Sequence, residues 1–222
     1  MFQCCNMKYS DIRGKDVIDS NGEKVGDIIN CIVDISQNTI ALKHFVLGGG
    51  LIEEFLESIG ARPDIDPVCN VSDLDSISDK VYLKVSKESL KKTIDPGVIC
   101  ETDLNFSQLG KLNLVDADGL KIGNIIDIWF DLSSRMWLVL GGGFFEELLE
   151  RLNVQPDIYL LIPMDFIKSI DTHTITLHKT KFEIESTCES EYEKEKMKLL
   201  GSKSESASVQ SQIRLGTGMS MR

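Results

Sequence analysis

The sequence lacks any apolar run near the roughly 18 residues that a membrane-spanning helix needs. It is also short of positive charge: 24 Lys and Arg stand against 35 Asp and Glu, for a net charge of -11. The first lack argues against a helical membrane span. The second weighs against broad binding to nucleic acid or anionic lipid, since both need clustered Lys and Arg. The opening stretch MFQCCNMKYSDIRGK has no apolar h-region, so a secretory signal is not expected and a cytoplasmic protein is. MKYSDIRGK reads as a natural start, which leaves residues 1–6 as an upstream extension or loose tail. The six cysteines include no CxxC pair, which argues against a zinc ribbon or a thioredoxin motif. Cys4 and Cys5 are adjacent, a poor spacing for closing a metal site. The remaining cysteines read as reduced, partly buried thiols.

What is present is a repeat. Residues 46–65 read VLGGGLIEEFLESIGARPDI and residues 139–158 read VLGGGFFEELLERLNVQPDI, identical at 12 of 20 positions and 93 residues apart. Upstream, GKDVIDSNGEKVGDIINCIVD (14–34) is echoed by GKLNLVDADGLKIGNIIDIWFD (110–131). Asp19, Gly22, Lys24, Gly26, Ile28, Ile29 and Asp34 match Asp116, Gly119, Lys121, Gly123, Ile125, Ile126 and Asp131, at an offset of 97. Both copies end in an alternating strand, KVYLKVS (80–86) or HTITLHK (173–179). The expected organisation is repeat 1 over 7–86, a linker over 87–106, repeat 2 over 107–182, and a charged, Ser-rich tail over 183–222. The tail is poor in large apolar residues and is expected to be largely disordered.

Within each copy, DSNG and DADG suit a tight turn, with Asp at the first position and Gly supplying positive φ at the last. The following segment is apolar and β-rich, and its Gly suggests a bulge or a sharply coiled strand. A third strand follows at 40–47 or 135–140. Short strands joined by turns predict a small barrel or a strongly bent sheet.

The Gly-Gly-Gly phrase breaks this β pattern. Apolar residues at 51, 52, 55, 56 and 59, and at 144, 145, 148, 149 and 152, fall on one face of a short helix. Gly60 or Asn153 suits a left-handed C-cap, and Pro63 or Pro156 prevents continuation. A helix start after glycines can bind phosphate. Here Glu53-Glu54 and Glu146-Glu147 already complement the helix dipole and would repel an anion, and no Lys, Ser or Thr follows the glycines as a P-loop requires. The glycines instead let the chain leave a strand sharply and pack a short helix onto the barrel.

Other chemistry finds little support. His173 and His178, five apart, face opposite sides of a strand and cannot pair on a metal, and His44 stands alone. Asp116-Ala117-Asp118-Gly119 resembles the start of a calcium loop but lacks the later ligands and the closing Glu. No Ser-His-Asp or Cys-His arrangement has supporting context. Trp129, Phe130 and Trp137 read as core, or as a contact between the copies. No catalytic residue, metal site or cofactor is expected.

The pattern V-I-D-S-N-G-E-K-V-G-D-I (17–28), repeated as L-V-D-A-D-G-L-K-I-G-N-I (114–125), resembles the PRC-barrel, and the inserted Gly-Gly-Gly helix resembles archaeal members in particular. The resemblance covers roughly 10–86 and 107–180. It implies a mainly β fold: two tandem small PRC-type β-barrels, each with one short inserted α-helix, followed by a flexible C-terminal tail. It also implies binding rather than catalysis, by docking to ribosomal proteins, membrane complexes or archaeal cell-division machinery. The reading is therefore a non-enzymatic cytoplasmic adaptor with protein partners, open to homo-oligomerisation, with no direct nucleic-acid contact. The alternative is an accessory factor for ribosome maturation or RNA processing that docks on a ribosomal protein. The expected partner or inter-repeat surface is Leu51, Ile52, Phe55, Leu56, Phe144, Phe145, Leu148 and Leu149, which could instead plug the ends of their own barrels.

Overall fold

A computed structural model describes residues 6–48, 65–131, 135–142, 150, 158–187 and 214–217. The eight residues of the expected apolar stripes lie outside the described residues, as do most of the Gly-Gly-Gly phrases.

The fold is mainly β. A short leader, β1 (Met7–Lys8) and α1 (Tyr9–Ile12), precedes β2 (Asp16–Ile18), the long β3 (Lys24–Asp34) and β4 (Ala41–Gly48). Then come β5 (Pro67–Asn70), β6 (Leu74–Ile77), β7 (Val81–Leu83) and β8 (Lys91–Lys92). A second leader, β9 (Asp103–Asn105) and α2 (Phe106–Leu109), opens the next series. That series is β10 (Asn113–Val115), β11 (Lys121–Phe130), β12 (Met136–Gly141), β13 (Ile158–Pro163), β14 (Ile167–Ile170) and β15 (Thr174–Leu177). A helix over residues 181–187, α3, and a last strand, β16 (Arg214–Thr217), follow.

The strands form two sheets of the same design. The first runs β6-β7-β2-β3-β4-β5-β8 and the second β14-β15-β10-β11-β12-β13-β16. In each, the short strand β2 or β10 pairs antiparallel with the long one and parallel with β7 or β15. Register is conserved between the copies: Val17 faces Gly26 as Leu114 faces Gly123, and a bulge follows each pair. Among the described residues the sheets are not closed into barrels by hydrogen bonding.

The chain divides into two compact units, residues 1–109 with 129–136, and residues 110–128 with 137–222. The core of the first includes Ile12, Val17, Ile28, Cys31, Val33, Phe45 and Leu47. That of the second includes Leu114, Ile128, Leu138, Val139, Leu160, Ile162, Ile175 and Ile184. Alternation of one buried face holds along β7 and β15, whereas β4 over 44–47 and β12 over 137–140 are buried on both faces. Trp129, Phe130 and Trp137 are buried, as their sequence context suggested.

The DSNG and DADG turns are held by their first residue. Asp19 Oδ1 accepts hydrogen bonds from the amides of Asn21 (2.8 Å) and Glu23 (2.9 Å), and Asp116 Oδ1 from Asp118 (2.9 Å) and Leu120 (2.8 Å). The other oxygen reaches across the fold: Asp19 Oδ2 accepts from Lys87 N (3.1 Å), and Asp116 Oδ2 from Lys181 N (2.7 Å). Gly22 and Gly119 close the turns at φ +84. One carboxylate thus ties the turn to the segment that follows the parallel strand, in both copies.

Candidate interaction surface

The glycine that ends β4, and its counterpart in β12, has a packing role. A Cβ on Gly48 would lie 2.7 Å from Ile29 Cγ2, and one on Gly141 would lie 2.7 Å from Ile126 Cγ2. Across the ladder, a Cβ on Gly26 would meet Gly48 O at 2.5 Å, and one on Gly123 would meet Gly141 O at 2.9 Å. Two facing glycines therefore bring β3 against β4, and β11 against β12, closely enough for an isoleucine to lie flat over the crossing. The next residue in the second copy, Gly142, has φ +86, which turns the chain out of the strand. The expectation of a sharp exit agrees with this geometry.

The isoleucines themselves are accessible: Ile29 is 40% exposed and Ile126 51%. They occupy the same place in each sheet, 97 residues apart, beside the point where the chain leaves the strand. Leu120 (58%), Ile94 (62%) and Phe182 (74%) are also exposed, but none recurs as an exposed apolar residue at the matching site of the other copy.

A second arrangement involves the leaders. In the first unit, β9 pairs with the end of β3, with Leu104 opposite Val33 and Asn105 opposite Ile32. In the same unit β1 pairs with the end of β11, with Met7 opposite Phe130 and Lys8 opposite Trp129. The leader of each repeat thus pairs with the long strand of the other, in identical register. Tyr9 and Phe106, equivalent residues of the two leaders, meet with ring centroids 4.7 Å apart and planes tilted by 50°. Tyr9 also stacks on Phe45 at 6.5 Å.

The leader entrances carry polar ties. Asp103 Oδ2 accepts from Lys43 Nζ (2.6 Å) and Cys100 N (2.7 Å), and Lys43 Nζ lies 3.3 Å from Cys100 Sγ. Burial alone would lower the Lys43 pKa, but the Asp103 carboxylate and the Cys100 sulfur outweigh it and raise it. Asn6, the counterpart of Asp103, accepts from Trp129 Nε1 at 2.9 Å. His44 is buried, with Nε2 3.1 Å from the carbonyl of Val98; a carbonyl only accepts, so Nε2 carries the proton. Burial, the largest cause, lowers the His44 pKa and keeps the ring neutral. Burial also pushes the Cys69 thiol up to about 12, which leaves it an inert core group. His173 and His178 are exposed. Among the described residues no three His, Cys, Asp or Glu are grouped to hold a metal ion. These contacts fix strands to one another.

Sequence reading named neither the isoleucine pair as a surface nor the leaders as pairing elements. The signal for the first was on the page, since Ile29 and Ile126 are identical in both copies at an outward-facing position. The leaders carry almost no signal, because they share a single identical residue, Ser10 with Ser107.

Two stretches, residues 6–90 and 101–184, match the PRC-barrel domain. The chain belongs to the PRC-barrel domain family. It carries two PRC domains in tandem, and the match takes in both leaders and every sheet strand except β8 and β16. No curated protein matches the chain. Among the described residues no helix is long and apolar enough to cross a membrane. PRC-barrel domains are protein-interaction modules, which turns attention to what the two domains expose in common.

Proposed function

We propose that this chain is a non-enzymatic adaptor that binds other proteins through equivalent surfaces of its two PRC domains, in archaeal cell division or another membrane-proximal assembly. The observation that carries the reading is the repeated exposed isoleucine, Ile29 and Ile126, each seated on a glycine at the same place in its sheet. A lone exposed apolar residue is ordinary. The same one kept accessible twice, over a purpose-built glycine crossing, fits a surface used twice. Two equal sites in one chain favour bivalent partners, since the second contact forms at an effective concentration on the order of millimolar. The apolar stripes that begin at Leu51 and Phe144 are included in the proposal on their sequence pattern alone. A net charge of -11 favours partners with basic faces.

The test is affinity capture from native extract with the wild-type chain beside an Ile29→Glu, Ile126→Glu variant. Capture of division or membrane-associated proteins that is lost in the variant, with an unchanged melting temperature, supports the adaptor. Enrichment of ribosomal proteins would instead favour a ribosome-maturation factor docked on a basic ribosomal protein. Equal capture by both chains would remove the isoleucines from the reading. Phe55→Glu with Phe145→Glu then asks whether the stripes take part: lost capture at an unchanged melting temperature makes them interface, and collapse of stability makes them core.

A further inference from the structure

The two PRC domains close the outer edge of the sheet differently. In domain 1 the edge strand β5 is covered by β8, with Pro67 opposite Lys92 and Val68 opposite Lys91. β8 is local, with seven residues between it and the end of β7. In domain 2 the equivalent strand β13 is covered by β16, with Leu160 opposite Leu215 and Leu161 opposite Arg214. Between the end of β15 and the start of β16 lie 36 residues.

The reason lies in the segment after the parallel strand. Lys87 and Lys181 are equivalent, since each donates its amide to the turn aspartate of its own domain. After Lys87 the chain makes a single 3-10 turn and continues into β8. After Lys181 it stays helical to residue 187, and Ile184 is fully buried. The residues that would cover the β13 edge locally are therefore committed to a helix, and the edge takes a strand from far along the chain.

We propose that the outer edge of β13 is a strand-accepting site, and that β16 is its tethered internal occupant, displaced when a partner supplies an extended segment of the same kind. An antiparallel ladder recognises main chain, so any extended segment without a steric or charge conflict can compete for it. The connection to β16 is the longer one, 36 residues against seven, so β16 is not held to its edge by a short local turn as β8 is. Charge indicates the partner segment. The last fourteen residues, VQSQIRLGTGMSMR, hold two arginines and no acid, in a chain of net charge -11. The site thus takes a neutral-to-basic extended peptide. The proposal does not depend on Ile29 or Ile126 and stands or falls separately from them.

The experiment uses the full chain with Leu215→Pro and Gly216→Pro. Adjacent amides of a strand point to opposite sides, so prolines at both positions remove the one of the two that donates to β13 and leave the rest of the sequence intact. A fluorescein-labelled peptide of residues 209–222 is titrated by anisotropy into both chains. The variant is expected to bind it at least tenfold more tightly than the wild type, while a peptide carrying the same two prolines binds neither. Failure of the variant to bind would overturn the strand-accepting site, and equal binding by both chains would overturn β16 as its occupant. Hydrogen exchange on the wild type is the independent check. Amides of residues 214–217 are expected to be protected, and exchange at the unfolded rate would sink the proposal without any variant. Concentration-dependent dimers that dissolve on adding the peptide would move the occupant to a second copy and overturn the internal assignment.

Discussion

The two PRC domains agree where backbone geometry leaves one solution and differ where a segment is free to choose. The glycine crossing, the turn aspartate and the parallel short strand coincide residue for residue. The edge, the leader tie and the segment after the parallel strand do not. Duplication evidently preserved what positions the chain and relaxed what covers or decorates it. Substitutions at equivalent sites can test how far the equivalence extends.

The largest difference is expected in the leaders. Tyr9 is 2% exposed and touches both Phe45 and Phe106, whereas Phe106 is half-buried. Tyr9→Ala should cost about 3–5 kcal/mol in chemical denaturation, within the range for deleting a buried aromatic, and Phe106→Ala about half of that. If the rings form one contact, the double variant costs less than the sum of the singles by about 0.5–1.5 kcal/mol. Strict additivity would show that the two leaders are held independently.

The turn aspartates come next. Asp116 accepts three backbone amides at 2.7–2.9 Å in a fully buried setting, and Asp116→Ala should cost about 3 kcal/mol through those unsatisfied donors. Asp19→Ala should cost less, because its reach to Lys87 is longer at 3.1 Å. Burial alone would raise the Asp116 pKa, but the donors from Lys181, Leu120, Asp118 and Gly119 together lower it. A carboxylate lowered in the folded state contributes stability above its unfolded pKa, about 3.9, and loses it as pH falls through the folded value. Melting followed from pH 6 down to pH 2.5 should show a decline below about pH 4 that is shallower in Asp116→Asn.

The glycine crossing should discriminate between the domains. An alanine at Gly26 would sit 2.5 Å from the Gly48 carbonyl oxygen, so backbone must move, at a cost of about 2–3 kcal/mol. At Gly123 the approach to Gly141 O is 2.9 Å, and the remaining contacts are the Leu140 side chain, so about 1–2 kcal/mol is expected. Gly48→Ala meets only the exposed side chain of Ile29, and Ile29→Ala should rescue it. Absence of rescue would place the conflict in the backbone.

Much of this was legible because it rests on residue types with narrow geometric uses. Asp at the head of a turn, Gly at its close and apolar alternation gave the strands and the tandem repeat. The doubled Gly-Gly-Gly phrase pointed to a strand exit rather than an anion site. The reading stopped where the pattern becomes too short to carry a period. Residues 87–106, taken as a linker, contribute β8 and β9, strands of two and three residues, too short to show a period. Met7-Lys8 is just as short. β16 lies in a Gly-containing tail with no alternation to announce it. Its pairing depends on the edge of β13, far back in the chain, where Leu161 faces Arg214, and no local signal reports that edge.

The smallest effect offers the finest test, because repeat 2 already contains the answer. Lys43 and Asp103 form a tie in which the carboxylate is 1% exposed and the lysine 25%. Their counterparts are Met136 and Asn6, an uncharged pair. Lys43→Met alone strands a buried carboxylate on the Cys100 amide, and should cost about 1–2 kcal/mol despite the partial exposure of the lysine. Asp103→Asn added to it writes repeat 2's residues into repeat 1. The Cys100 amide keeps an acceptor while the charge is gone, so most of the loss should return and the net cost should fall below about 0.5 kcal/mol. Urea denaturation of the two variants decides it. Recovery means that the ion pair and its uncharged counterpart are interchangeable ways of fixing a leader. A double variant as unstable as the single would mean that the lysine supports β9 through its aliphatic stem or through Cys100, and that the two leaders are anchored by different physics.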